Sequence, residues 1–343
     1  MADSASEQGM DLTPLRSIWE LFTTDFPAPK VDLNGRTVLV TGGNTGLGYA
    51  AVLHYARSTA SRIIIASRDT KRISAAIAQV YRDVPSYRGR IDAMELDLSS
   101  FESVRAFCKA VRADPGRLDI VVANAGIMRA EYTKTADGYE SVLQVNGLAT
   151  GLMALLLLPK LEQTAALPVP AGSEELKPSM SIVASDVHYF AVFPQQDTAG
   201  PLIDALNDPK LFGDINERYY MSKVLSVFTA RELAKHPAVT SGKVIVTSVN
   251  PGMCKSGFRD DMGWFVAMIL NWIAWTTEKG TRNFLYATTQ NCRPGSFISS
   301  CNEQPVSNFV VSPKGKETQA KYWDEAVKIW RKVAPETDDV LGG

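Results

Sequence analysis

The sequence predicts an α/β fold: a doubly wound parallel sheet in a single domain. Three observations predict it. Short continuous apolar runs alternate with helical periodicities, as parallel strands buried on both faces require. The first clear run, TVLVT at 37–41, passes directly into a glycine-rich turn and then a helical stretch. No internal repeat or second dense apolar region divides the chain, and 343 residues with 45% hydrophobic and 21% charged content suffice for one large core.

Residues 1–11, MADSASEQGMD, are polar and acidic and are expected to be disordered; they lack the basic and apolar regions of a secretory signal. PLRSIWELFTTDF at 14–26 reads as a short amphipathic helix, followed by a proline-containing linker. Strands are expected at Thr37–Thr41, at Arg62–Ser67, in a run ending at Met94–Leu98, at Leu118–Ala123, at Met180–Ala184 and at 243–249. Helices are expected at Tyr49–Ala56 and around 70–82, 100–112, 138–161 and 218–235. Right-handed crossovers would wind these units on both faces of the sheet. The organisation is then an N-terminal extension (1–33), a nucleotide-binding domain (34–312) with substrate regions near 186–218 and 253–280, and a C-terminal helix and tail (313–343).

Charge and cysteine usage exclude several classes. Lys+Arg (36) and Asp+Glu (37) nearly cancel, so no basic field favours nucleic acid as a partner. Cys108, Cys254, Cys292 and Cys301 form no CxxC pair, and His54, His188 and His236 lack ligand spacing; neither a disulfide framework nor a metal site is expected. A reduced intracellular compartment, the cytoplasm, is the simplest reading. No stretch is expected to reach the roughly 18 apolar residues that cross a bilayer. The nearest is MGWFVAMILNWIAW at 262–275.

The turn Thr41-Gly42-Gly43-Asn44-Thr45-Gly46-Leu47-Gly48 lies where such a sheet binds a dinucleotide. A pyrophosphate approaches the backbone closely only where side chains are absent, and the following helix offers free N–H groups and a positive dipole end. The spacing is TGxxxGxG rather than GxGxxG. At 219 and 223, Tyr and Lys stand four apart in a helical pattern, on one face. An isolated phenol has a pKa near ~10, and a neighbouring ammonium favours the phenolate. That pair suits proton transfer at neutral pH.

From Asn34 to Ser299 the chain resembles the short-chain dehydrogenase/reductase family. The glycine loop at 41–48, Asp97-Leu98, Asn124-Ala125-Gly126, Asn146, Ser185, Tyr219-xxx-Lys223 and Pro251-Gly252 follow in the family's order. The resemblance implies a Rossmann-like fold and a nicotinamide cofactor held by Gly42, Asn44, Thr45, Gly46, Leu47, Gly48, Ser67, Arg68, Asp97, Leu98, Asn124, Pro251, Gly252 and Ser256. It implies Tyr219 as acid/base and Lys223 as its partner and ribose ligand. Ser185 would polarise the substrate oxygen, and Asn146 would hold a relay water. Tyr220, three residues from Lys223, is assigned to packing, and His188 to a structural or pocket-wall role.

Ser67-Arg68 closes the second strand where an acidic residue would select NAD; Arg68 can instead pair with a 2′-phosphate, helped by Lys71 or Arg72, so NADP(H) is favoured. Asp69 alongside argues the other way. The 262–275 run admits three readings: a pocket wall for a bulky apolar substrate, shallow peripheral membrane contact, or core and homo-oligomer packing. Within the family the resemblance is to the retinol-dehydrogenase-like branch and fungal relatives, many of which act in secondary metabolism on polyketide or terpenoid carbonyls. The expected activity is NADP(H)-dependent interconversion of a carbonyl and an alcohol on a small molecule. The alternatives are a cofactor-sensing scaffold and a dehydratase or isomerase of the same fold.

Overall fold

The computed structural model describes residues 9–13, 23–254 and 274–342. Its centre is an eight-stranded sheet: β1 (Thr37–Thr41), β2 (Arg62–Ser67), β3 (Arg90–Glu95), β4 (Ile120–Ala123), β5 (Ser179–Val183), β6 (Ile245–Val249), β7 (Phe297–Ser299) and β8 (Asn302–Gln304). The spatial order is β3-β2-β1-β4-β5-β6-β7-β8, parallel throughout except for the antiparallel β7–β8 pair. Strand order reverses between β1 and β4. Crossovers leave on opposite faces there, so a crevice opens beyond the carboxyl ends of those two strands.

Alternation along β1 shows how the two faces are filled. Val38 and Val40 point into one apolar layer and Leu39 into the other, all fully buried. The first layer is closed by α1 (Gly46–Arg57), α2 (Thr70–Asp83) and the later helix Thr277–Thr289, through Val52, Tyr55, Ile73 and Phe284. The second is closed by α3 (Phe101–Ala113), α4 (Thr150–Ala165) and α5 (Ile215–Leu233), through Val104, Leu155 and Phe228. We call the helix Thr277–Thr289 α6 and the long C-terminal helix Pro313–Val333 α7.

Most helices begin at a side-chain cap. Asp69 accepts from Arg72 N at the start of α2, Ser100 from Ser103 N at α3, Asp214 from Asn216 N and Glu217 N at α5, and Thr276 from Lys279 N at α6. α1 differs: Thr45 makes no capping bond. The expected helix at 138–161 opens instead with a π-helical segment, Leu143–Ala149, and continues to Ala165. Glu140 sets that start, its carboxylate accepting from Val142 N and Leu143 N at 2.8 Å each.

Several expectations shift. α1 starts at Gly46, β3 ends at Glu95, and β4 starts at Ile120, because strand ends follow pairing rather than apolar content. Residues 9–11 are ordered: Gly9–Met10 pairs in parallel with Val306–Ser307, anchored by buried Leu12. The helix expected at 14–26 falls mainly on 14–22, outside the described residues; from Pro27 to Val31 the chain has no regular structure. Among the described residues one helical stretch, 143–165, is apolar and long enough to cross a membrane by length and composition, contrary to the expectation that none would be. It is enclosed by the fold, as an all-round apolar core helix should be. The C-terminal helix joins the same core: Trp330 is fully buried, donates Nε1–H to Leu148 O at 2.9 Å, and sits where a Cβ on Gly151 would lie 2.7 Å away.

Candidate active site

The crevice beyond β1 and β4 is a cleft of about 970 Å³. Its lining includes Gly42, Asn44, Thr45, Gly46, Leu47 and Gly48 from the glycine turn, Ser67 and Arg68 after β2, and Asp97 and Leu98 after β3. Asn124, Ser185, Tyr219, Lys223, Pro251 and Gly252 line it further along. Asn146 does not. Ser256 lies outside the described residues, as does the 262–275 run up to residue 273.

The glycine turn is shaped by two different requirements. Gly42 (φ +66°) and Gly46 (φ +55°) hold left-handed backbone that other residues adopt only with strain. A Cβ on Gly48 would lie 2.2 Å from Gly42 O, so α1 can approach β1 only there. A Cβ on Gly46 would meet no atom of the described residues within 4 Å, and Gly46 lines the cleft. With no side chain capping α1, its first N–H groups and positive end remain for an anion. A pyrophosphate fits these features.

Asn124 fastens the switch point. Its Nδ2 donates to Thr41 O at 2.9 Å, and Ala125 N donates to Thr41 Oγ1 at 2.9 Å, tying the end of β4 to the end of β1. Asp97 accepts from Ser99 N and Ser99 Oγ, which shapes the loop after β3. Beyond β2, Arg68 is exposed and lines the cleft, as does Arg72; Lys71 is exposed but not part of the lining. The Asp69 carboxylate caps its own helix and pairs with Arg72 at 3.3 Å. Asp69 lines the cleft beside Arg68 and Arg72 while making these local contacts.

Tyr219 and Lys223 leave α5 on one face, with Lys223 Nζ 5.3 Å from the phenol ring centroid. Lys223 is buried and donates to Val183 O at 2.9 Å. Burial pushes its pKa down to about 8. Tyr220 lines the cleft rather than packing away from it; burial and Asp214 raise its pKa, which makes it a poorer acid than an ordinary phenol. α5 runs along the cleft, so both adjacent tyrosines reach it.

Ser185, two residues beyond β5 and in extended backbone, caps a short 3₁₀ turn, Asp186–Phe190, accepting from Val187 N at 3.3 Å. His188 fixes that turn from below. Its Nδ1–H donates to Ser185 O at 2.8 Å, so Nε2 is the acceptor for Ser307 N at 3.1 Å. Burial holds it neutral, with a pKa near 4. His188 is structural and no part of the cleft wall.

The Asn146 side chain is committed to the protein. It accepts from Ile127 N at 2.8 Å, donates to Ile127 O at 2.8 Å, and donates to Ser222 Oγ at 3.0 Å. Ser222 Oγ in turn donates to Tyr219 O at 2.7 Å. Asn146 thus braces the loop after β4 against the α5 turn that carries Tyr219.

Two contributors escaped the sequence reading. Asn250 is buried, and its Oδ1 accepts from Asp186 N at 3.1 Å and Gly252 N at 3.0 Å while Nδ2 donates to Ser299 Oγ at 3.0 Å. It joins the turn after β5, the end of β6 and the end of β7, next in sequence to the cleft-lining Pro251 and Gly252. Its signal was a polar residue closing an apolar strand just before Pro251-Gly252. Phe190 also lines the cleft, its ring 6.4 Å from that of Tyr220.

Comparisons with known proteins give the family. Residues 36–169 match the family model for short chain dehydrogenases. The chain is 34% identical over 316 residues to the short chain dehydrogenase/reductase dmxR8 of Cryptosporiopsis sp., covering 90% of this chain and 94% of that one. It is 32% identical to the short-chain dehydrogenase anuD of Penicillium roqueforti, covering 94% and 85%. Among solved structures, an uncharacterized protein of Mycobacterium paratuberculosis superposes with a TM-score of 0.64 at 26% identity, over 90% of this chain and 97% of that one. A short-chain dehydrogenase of Sphingobium yanoikuyae, solved in complex with NADPH, shares the fold with a TM-score of 0.52 at 19% identity, over 73% and 83%.

Proposed function

This chain belongs to the short-chain dehydrogenase/reductase family and is an oxidoreductase, and we propose that it interconverts a carbonyl and an alcohol on a bulky apolar small molecule, using NADP(H), with Tyr219 as the acid/base. The observation that carries the reading is the convergence of Tyr219, Lys223 and Ser185 on the cleft that the glycine turn opens.

The cofactor would be held by the uncapped start of α1 and the glycine turn at its phosphates, by Arg68 and Arg72 at a 2′-phosphate, and by Lys223 and Gly252 at its far end. When bound, a nicotinamide dinucleotide supplies or accepts the hydride. The protein's own groups handle the proton. Tyr219 donates its phenolic hydrogen to the carbonyl oxygen as charge develops there, and the Lys223 ammonium steadies the phenolate left behind. Ser185, set by its own turn, donates to the same oxygen. Asn146 acts as a positioning residue through Ser222, since its side-chain groups are already paired. In the oxidative direction the same groups run in reverse.

Two features support an apolar substrate, such as a secondary-metabolite intermediate. Phe190, Tyr220, Met253 and Trp275 line the cleft, and the sequence relatives reported above are fungal enzymes. A scaffold would have no use for a buried lysine beside a cleft tyrosine.

Tyr219→Phe tests the reading. Turnover in NADPH-coupled carbonyl reduction should fall by roughly 10²–10⁴-fold while NADPH fluorescence titration stays at the parent affinity. Full turnover in this variant overturns the assignment.

A further inference from the structure

Trp275 is gripped from several sides. Its ring meets Phe26 edge to face, with centroids 5.3 Å apart at 71°. The Lys279 ammonium stands 4.7 Å from the Trp275 centroid and 5.4 Å from that of Phe26. Trp275 N donates to Met253 O at 2.8 Å, and Cys254 and Trp275 form an isolated parallel bridge. The indole also lies so close to Gly252 that a Cβ there would come within 2.5 Å of its Cζ3. Gly252 and Trp275 both line the cleft.

Phe26 belongs to the segment that precedes the sheet, outside the nucleotide-binding units. α6 holds that segment by its backbone: Lys279 Nζ donates to Thr24 O at 2.7 Å and Arg282 Nη1 to Phe26 O at 2.8 Å. Phe26, Cys254 and Trp275 form a small apolar cluster of their own, separate from the layers on the two sheet faces, and each is nearly inaccessible to solvent. α6 is bonded in turn to α1, His54 Nε2–H donating to Glu278 O at 2.9 Å. The extension, the indole and the helix behind the glycine turn are therefore one mechanical unit.

A rigid aromatic wall needs little ordering when a ligand arrives, and flat rings packed on it gain attraction beyond area burial. We propose that Phe26 sets the position of Trp275, and that Trp275 is a specificity-determining wall favouring carbonyl substrates with a flat aromatic ring over flexible aliphatic ones. The inference rests on the proposed carbonyl-reductase reading and names its substrate class. Phe190 and Tyr220, in the same lining, add aromatic surface to the site.

The test uses the full chain loaded with NADP+, which has no hydride to give a ketone, and two probes: methyl 2-naphthyl ketone and 2-undecanone, an aliphatic ketone of similar carbon number. Calorimetric titration should show the parent binding the naphthyl ketone on the order of tenfold more tightly. Phe26→Ala and Trp275→Ala should each remove most of that preference, and Trp275→Phe should keep most of it, with NADP+ affinity unchanged in all three. A parent that binds neither ketone, or both equally, overturns the proposal. So does a folded Trp275→Ala that keeps the parent's ratio, and this variant decides the matter if Phe26→Ala does not fold. A parent that fails to bind NADP+, or a fully active Tyr219→Phe, instead sinks the cofactor and acid assignments.

Discussion

Lys223 is under two opposed demands. As a buried ammonium it is penalised by desolvation, and its pKa falls to about 8. In the proposed chemistry, as the cation beside Tyr219, it must remain charged to favour the phenolate. A pKa lowered but still above neutrality satisfies both, since the ammonium stays the major form at pH 7. Arg68 poses a different question, because it is exposed. Its case rests on position at the end of β2, on the neighbouring Arg72 in the same lining, and on Asp69 being occupied as the α2 cap. Replacing Arg68 by Asp should swing preference from NADPH toward NADH by about 1–3 kcal/mol in relative binding, the worth of a charge-assisted contact. Parallel fluorescence titrations with the two cofactors would show it. An unchanged ratio would make Arg68 a bystander.

At the scale of elements, the site is built from the ends of secondary structures. β1 and β4 are tied by Asn124, β5, β6 and β7 by Asn250, and the π-helical start of α4 is braced to α5 by Asn146 and Ser222. His188 extends this bracing from the Ser185 turn to the strand at Val306–Ser307, which in turn carries Gly9–Met10. Its neutrality has a pH consequence. The folded-state pKa is depressed to about 4 from an ordinary 6.5, so the unfolded chain binds more protons between those values. Stability contributed here is fully present above about pH 6.5 and is lost as pH falls toward 4. His188→Gln should be less stable than the parent at pH 7 but should lose less melting temperature between pH 7 and pH 4.5. Melting curves across that range provide the check; parallel losses in the two proteins would contradict it.

For the whole molecule, the C-terminal helix is part of the core rather than an appendage. Trp330 lies between α4 and the end of the chain, bonded to Leu148 O and seated on Gly151. Trp330→Ala should destabilise the protein by about 3–5 kcal/mol, the range for deleting a buried aromatic. It should do so without a selective effect on NADPH affinity in the fraction that stays folded. Chemical denaturation read alongside cofactor titration would separate the two effects. A loss below about 1 kcal/mol would mean the helix is loosely attached.

Some of this was legible in the sequence because the signals are local. Apolar runs such as TVLVT and RIIIAS specify parallel strands, since a strand buried on both faces has no polar side. Glycines at 42, 46 and 48 announce a turn whose backbone no other residue suits, and the four-residue gap from Tyr219 to Lys223 fixes a shared helix face. These patterns determined the sheet, the place of the cleft and part of its lining. What only the tertiary structure decided depends on partners far apart in the chain. Asn250 is an unremarkable polar residue until β5 and β7 flank it, and Tyr220 is on the cleft because of how α5 is rotated. Residues 9–11, polar by composition, are ordered because Val306–Ser307 offers them an edge, and Phe26 meets Trp275 across some 250 positions of sequence. Short-range periodicity reflects what a segment buries; which distant group receives it is set by packing, and no local pattern encodes that.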